Sequence, residues 1–183
     1  MISIPSLWLP ILLSAVAVWI ASAIVWTVMP HRRSEFKELP DEEAARKALK
    51  APPGEYQLPF AKGAAAAKDP EFVRRTEEGP VGFVRILPPG RPGMGKAMLL
   101  SLLHYVVIGV VVAYLASRTL DPGAPYLAVF RVAGATAWTA HFFGAVPDSI
   151  WFGKPWNSTG KLLFESLVYA GLTGGMFGWL WPA

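Results

Sequence analysis

Residues 7–29 run for 23 positions without a single Asp, Glu, Lys or Arg. At 1.5 Å per residue such a run covers the ~30 Å hydrocarbon core of a bilayer with a little tilt to spare. No water in that core can satisfy a bare backbone, so a continuously apolar stretch of this length has to be a helix. Three later stretches, 97–116, 127–146 and 161–181, are apolar over similar lengths, though the second carries Arg131 and the third Lys161 and Glu165. The expected fold class is therefore an all-α membrane protein with four transmembrane helices, spanning about 7–29, 97–116, 127–146 and 161–181. A small mixed insertion at 30–96 separates the first two.

A secretory signal would also open on an apolar run. Here Met1–Ser6 carries no Lys or Arg and the run is longer than a signal's apolar region, so it reads as a retained span. Trp8 and Trp26 sit near its two ends, and Trp179 and Trp181 near the far end of the last span, where indoles settle at headgroup depth. Trp19 falls within the first span, either buried or facing lipid.

The chain is 53% hydrophobic and only 16% charged, and the charge is bunched. Residues 30–96 hold 13 Lys or Arg and 10 Asp or Glu, broken by Pro52-Pro53-Gly54, Pro88-Pro89-Gly90 and Arg91-Pro92-Gly93. Leu39–Lys47 predicts a short helix, with Pro40 and acids at its positive end and Glu42/Arg46 and Glu43/Lys47 spaced i,i+4. Asp69-Pro70-Glu71 starts a second helix that ends at Gly79-Pro80. Tyr56–Phe60 and Val81–Leu87 have strand composition and can pair. With few large apolar residues, the insertion is not expected to bury a sizeable core by itself, and should lie against the membrane face or a partner.

With no cysteine there is neither a disulfide framework nor a thiolate metal site. The pI near 9.5 does not imply nucleic acid, because no basic tract is interleaved with stacking aromatics. Topology explains the basic excess. The 13 cations of the insertion, with Lys154 and Lys161, fall on one side, against Arg118 and Arg131 on the other. That asymmetry places residues 30–96 in the cytoplasm and both termini in the periplasm.

Two motif matches fail on chemistry. Gly90–Ala97 has the spacing of a phosphate-binding loop, but Ala97 stands where a hydroxyl should meet magnesium and Pro92 removes a backbone donor, so no nucleotide is expected. Asn157-Ser158-Thr159 is formally a glycosylation acceptor, but on the cytoplasmic side it reads as a cap for the fourth helix. Trp151, Phe152 and Trp156 beside Lys154 suit the membrane interface.

Each of the last three spans carries one ionisable group near the cytoplasmic end: His104, His141 and Glu165, ~12, ~10 and ~6 Å deep at 1.5 Å per residue. Burying such groups costs a few kcal/mol each on insertion scales, so they are expected to face the bundle and find partners. His141 shares a face with Ala133, Gly134, Ala137, Ala140 and Gly144, which lets helices approach closely. Two imidazoles and a carboxylate suit zinc or iron, paired histidines suit haem, and the same groups could relay protons. The plainer expectation is no cofactor, with these side chains hydrogen-bonding to one another, Tyr105, Tyr169 or backbone carbonyls. Arg131, ~15 Å from His141 along one helix, should snorkel to the outer headgroups.

The last span joins a polar stripe, Glu165, Tyr169 and Thr173 at i, i+4, i+8, to glycines Gly171, Gly174, Gly175 and Gly178 on roughly the opposite side. Both G-x-x-x-G spacings favour close helix contact, so this helix belongs in the middle of the bundle. Ala113 is expected to be less tightly packed.

Pro30-His31-Arg32-Arg33-Ser34-Glu35-Phe36, Leu39-Pro40-Asp41-Glu42, Gly79-Pro80-Val81-Gly82, Leu87-Pro88-Pro89-Gly90, Ala113-Tyr114-Leu115-Ala116, Pro147-Asp148-Ser149-Ile150-Trp151 and Phe177–Pro182 together resemble a group of small bacterial inner-membrane proteins with no assigned activity. The resemblance runs over most of the chain. It implies a bacterial inner membrane and transfers no catalytic residue. The expected function is non-enzymatic: an accessory, assembly or scaffolding component that associates with itself or with other membrane subunits. The alternative is a transport-linked, proton-handling or haem- or metal-binding protein using His104, His141 and Glu165.

Overall fold

A computed structural model describes residues 2–90 and 93–183; Arg91 and Pro92 of the glycine-rich stretch lie outside them. The chain is mostly helical and divides into two compact units. One is drawn from 2–35, 93–150 and 154–183, the other from 36–90 and 151–153.

The first unit holds four long helices: α1 (Trp8–Thr27), α4 (Met94–Thr119), α5 (Tyr126–Phe142) and α7 (Trp156–Trp179). Each packs on two others in a closed ring, α1 on α4, α4 on α5, α5 on α7 and α7 on α1. Neighbours run antiparallel. Trp19 of α1 donates its indole N–H to Met98 O at 3.1 Å, while Ile11, two turns earlier, abuts Gly109 on α4.

Helix α1 buries Leu7 in its preceding turn and Ile11, Ala15, Val18 and Val25 along one stripe. Ser14 and Ser22 share that stripe and donate to the carbonyls of Ile11 and Trp19, so neither hydroxyl is left unpaired. The opposite face, Leu9, Leu12, Leu13, Val16, Ile20 and Ile24, is just as apolar yet exposed. A helix that is hydrophobic all round belongs in a large protein core or in a membrane. The stretch Ile4–Thr27 and helix α4 are both long and apolar enough to cross a membrane, with mean hydropathies of 2.2 and 2.3. Only 33% and 22% of their apolar windows are buried, unlike the core helix of a soluble protein.

Among the described residues no other helix meets that test. The expected span 127–146 is cut short: α5 has 17 residues and stops at Phe142. Pro147 explains the stop, since it has no N–H and its ring collides with the carbonyl four residues back, at Phe143. The chain takes one 3-10 turn at Phe143–Ala145 and restarts as α6 (Val146–Trp151), where proline is tolerated in a first turn. Helix α7 begins at Trp156, not near 161, and its 24 residues include Lys161, Glu165 and five glycines, which lower its hydropathy. The expected Asn157, Ser158 or Thr159 cap is not used: Pro155 occupies the cap position. Thr159 is instead buried and bonded to Ser149, tying α6 to α7.

At the opposite end of the bundle, residues 120–125 turn tightly at Gly123, whose φ of 73° favours glycine. This turn is fastened to the C-terminal segment. Gly123 N–H donates to Pro182 O at 2.8 Å, and the Trp181 indole donates to Asp121 O at 3.0 Å.

Small residues set the helix spacing, as expected, but not all of those expected. A methyl on Gly174 would stand 2.9 Å from Phe130 O, and one on Gly178 would stand 2.8 Å from the Tyr126 ring. Gly171 has open space and Gly175 only ordinary contact. One G-x-x-x-G pair, Gly174/Gly178, therefore forms the α5 contact, and the other does not. Glu165, Tyr169 and Thr173 are buried together with Gly174. Ala113 corrects the expectation of looser packing: it is fully buried.

The second unit contains α2 (Glu42–Ala48), β1 (Gly54–Leu58), α3 (Pro70–Glu78) and β2 (Gly82–Ile86). Asp41 caps α2 by accepting from Ala44 N–H, and Asp69 caps α3 by accepting from Glu71 N–H. The strands pair antiparallel with Tyr56 opposite Val84, close to the expected segments. On α3, hydrogen bonds from Arg74 and Arg75 hold the Glu71 carboxyl down at about 2. Within this unit Phe83 meets Phe152 edge-on, with ring centroids 5.3 Å apart. Phe36, Phe60, Val81, Leu87 and Trp151 are exposed, as a segment too small to build its own core requires.

Candidate functional site

After α1 the chain passes through a 3-10 segment, Pro30–Glu35, which packs on α7. This brings cations to Glu165, whose side chain is only 1% exposed. Arg32 makes a two-pronged bond to it: Nε donates to Oε1 and Nη2 to Oε2, both at 2.6 Å. The planar guanidinium fork matches the carboxylate, which is why arginine suits a desolvated pair better than lysine. His31 Nε2 lies 2.7 Å from the same Oε1. The remaining Arg32 Nη1 donates to Glu35 Oε2 at 3.0 Å, and the guanidinium carbon stands 4.2 Å from the centre of the Trp26 ring.

Lys161 closes the group. Its ammonium donates to Ser34 Oγ at 3.0 Å and lies 3.8 Å from Glu35 Oε1. Two carboxylates thus face one guanidinium and one ammonium, with His31 at the edge. Burial by itself lowers the pKa of Arg32, but the hydrogen bonds and charges of Glu165 and Glu35 outweigh it and hold the guanidinium above its ordinary value. Isolated, either ion would lose several kcal/mol of solvation; paired and hydrogen-bonded, each answers the other's cost. Both oxygens of this carboxylate are engaged by the guanidinium fork. Its chemistry is that of a clasp between the end of α1 and α7.

The residues expected to share one site divide between two places. Glu165 belongs to the clasp. His141 lies instead in an aromatic cluster, its ring centroid 5.8 Å from that of Tyr105 and 5.4 Å from that of Tyr169. His104 is exposed and leans on Tyr105 at 5.7 Å. The Tyr169 hydroxyl is buried and has no hydrogen-bond partner among the described residues. Among the described residues no three His, Asp or Glu side chains converge as metal ligands, so His104, His141 and Glu165 do not make the donor set considered for zinc or iron. The reason is helix rotation: α7 turns Glu165 towards the Pro30–Glu35 segment and leaves Tyr169, one turn on, against His141.

Sequence reasoning missed His31, Arg32 and Glu35. A signal was present. Glu165 is the last acidic residue of the chain, burial of a carboxylate demands a cation, and Pro30-His31-Arg32-Arg33 directly follows the first apolar run.

No family model matches the chain, and neither the curated proteins nor the solved structures contain a match to it. Geometry alone therefore carries the functional reading.

Proposed function

We propose that the chain is a four-span inner-membrane protein of bacterial type, non-enzymatic, acting as an accessory, assembly or scaffolding subunit. The observation that carries this reading is how its two units use their side chains. The buried charges of the bundle are spent on one another in the Arg32–Glu165 clasp, a structural use. The second unit leaves Phe36, Phe60, Leu87 and Trp151 exposed, a surface suited to a partner.

Four spans rest on more than the two strongly apolar helices. Helices α5 and α7 close the same ring as α1 and α4, and both present apolar residues outward, Leu127 on one and Phe164, Leu167 and Val168 on the other. The Lys and Arg asymmetry supports a cytoplasmic second unit with both termini periplasmic. Single cysteines at Ser34, Ala65 and Gly123 of this cysteine-free chain test it. An impermeant thiol reagent on intact spheroplasts should label position 123 and spare 34 and 65. Labelling at 65 would reverse the orientation.

The partner reading is tested by extracting the tagged chain from its native membrane in a lipid-preserving polymer. Recovery at the mass of a larger, defined assembly or of a self-oligomer supports it; a lone chain in every preparation refutes it. A proton-handling role is the second reading, and the orphaned Tyr169 hydroxyl beside His141 is what favours it.

A further inference from the structure

A groove of about 250 Å³ runs along the outer surface between α5 and α7. Its walls are Phe130, Gly134 and Trp138 on one helix and Leu167 and Gly171 on the other, with Arg131 at one end. The lining is almost wholly apolar apart from that guanidinium. Gly171 keeps the groove open, since nothing stands within 4 Å of where its Cβ would be. The volume is below the ~300 Å³ at which pockets for compact small molecules begin.

Arg131 is exposed and, among the described residues, has no acidic partner. It lies five residues into α5, ~7.5 Å from the helix start at 1.5 Å per residue, so its long side chain reaches the headgroup layer. From Arg131 to Trp138 the groove then descends ~10 Å along the helix axis, towards the bilayer interior. A cation at phosphate depth above an apolar furrow is complementary to one kind of molecule.

We infer that this groove holds one acyl chain of an anionic phospholipid, with Arg131 bound to its phosphate. The inference rests on α5 and α7 spanning the bilayer, as proposed above. Every feature has a part in it. The glycine gap admits the chain, the aromatic and leucine walls contact it, and the unpaired guanidinium selects a headgroup with net negative charge. A zwitterionic lipid offers the same phosphate but carries its own ammonium, so it gains less from Arg131.

The test is native mass spectrometry of the full chain released from detergent after equilibration with phosphatidylglycerol or with phosphatidylcholine of the same acyl chains. The wild type should retain phosphatidylglycerol in preference, by about fivefold for one cation near a membrane surface. Arg131→Gln should abolish that preference while leaving residual binding of both lipids. Gly171→Leu, which fills the groove without a backbone clash, should reduce retention of both. Arg118→Gln, a cation elsewhere on the bundle, should change neither. Equal retention of the two lipids by the wild type, or an unchanged preference in Arg131→Gln, would overturn the inference. Failure of the span assignment reads out separately: cysteines placed singly at Gly123 and Lys154 should label from opposite sides of the membrane, and labelling from one side means that α5, which lies between them, does not cross it.

Discussion

Replacing Arg32 by leucine is expected to destabilise the bundle by about 3–5 kcal/mol, because it leaves the Glu165 carboxylate buried with only His31 beside it. Glu165→Leu leaves Arg32 with Glu35 as its remaining carboxylate and should cost less than Arg32→Leu. Glu165→Gln keeps the size and one acceptor, so its cost should be smaller. The double variant is the telling one. Removing both ions leaves no buried carboxylate at 165 and keeps Lys161 beside Glu35, so Arg32→Leu/Glu165→Leu should be clearly more stable than the sum of the single losses, with a coupling of at least about 2 kcal/mol. Thermal unfolding of the purified chain in detergent, read across the four proteins, gives that coupling. Additive losses would show that the two side chains do not act as a pair, and the clasp would have to be abandoned.

Gly174→Ala should be disruptive although it adds a single methyl, because the new atom would stand 2.9 Å from the Phe130 carbonyl, which belongs to a helix backbone and cannot swing aside. Overpacking of this kind costs about 1–3 kcal/mol or more. Gly171→Ala, three residues earlier on the same helix, meets nothing and should be neutral or gain a few tenths to ~1 kcal/mol from helix propensity. Ala113→Leu, at a fully buried position of α4, should behave like Gly174 and not like Gly171. The comparison is made on monodisperse yield and melting temperature in detergent. Equal tolerance of alanine at 174 and 171 would mean that α5 and α7 do not approach as described.

Both predictions turn on the difference between a pattern and its use. The G-x-x-x-G spacings are visible in the sequence, but which of two overlapping pairs meets a neighbour depends on the rotation of α7 about its axis. A wheel ranks faces; it does not know where the neighbouring helix stands. The same limit applied to the ionisable residues. His104, His141 and Glu165 could be placed at similar depth by counting 1.5 Å per residue, yet depth leaves the azimuth open. Glu165 turned towards His31 and Arg32, while His141 was left with Tyr105 and Tyr169. The candidate site was thus half legible: its carboxylate could be read, its partners could not.

Local rules served well wherever the cause was local. Asp69 caps α3 at the expected helix start, and Asp41 caps α2, which begins at Glu42 and not at Leu39, because a carboxylate beside free N–H groups needs no distant neighbour. The strand pair follows from β-branched and aromatic composition on both sides of it. The expected span 127–146 overlooks Pro147 just beyond it, whose effect on α5 shows how one missing N–H can outweigh an apolar run.

What the sequence determined by itself is where the chain is apolar and where it is charged: the long apolar runs that become helices, and the charge-rich stretch 30–96, of which 36–90 falls in the second unit. These depend on composition summed over a turn or a segment. Only the tertiary structure decided which groups touch. The clasp joins residues 133 and 134 positions apart, the Gly174 contact joins two neighbouring helices of the ring, and both are fixed by rotations that the packing of all four helices sets together. Desolvation then does the rest, because a buried carboxylate that meets a guanidinium is a stable contact and one that does not is forbidden.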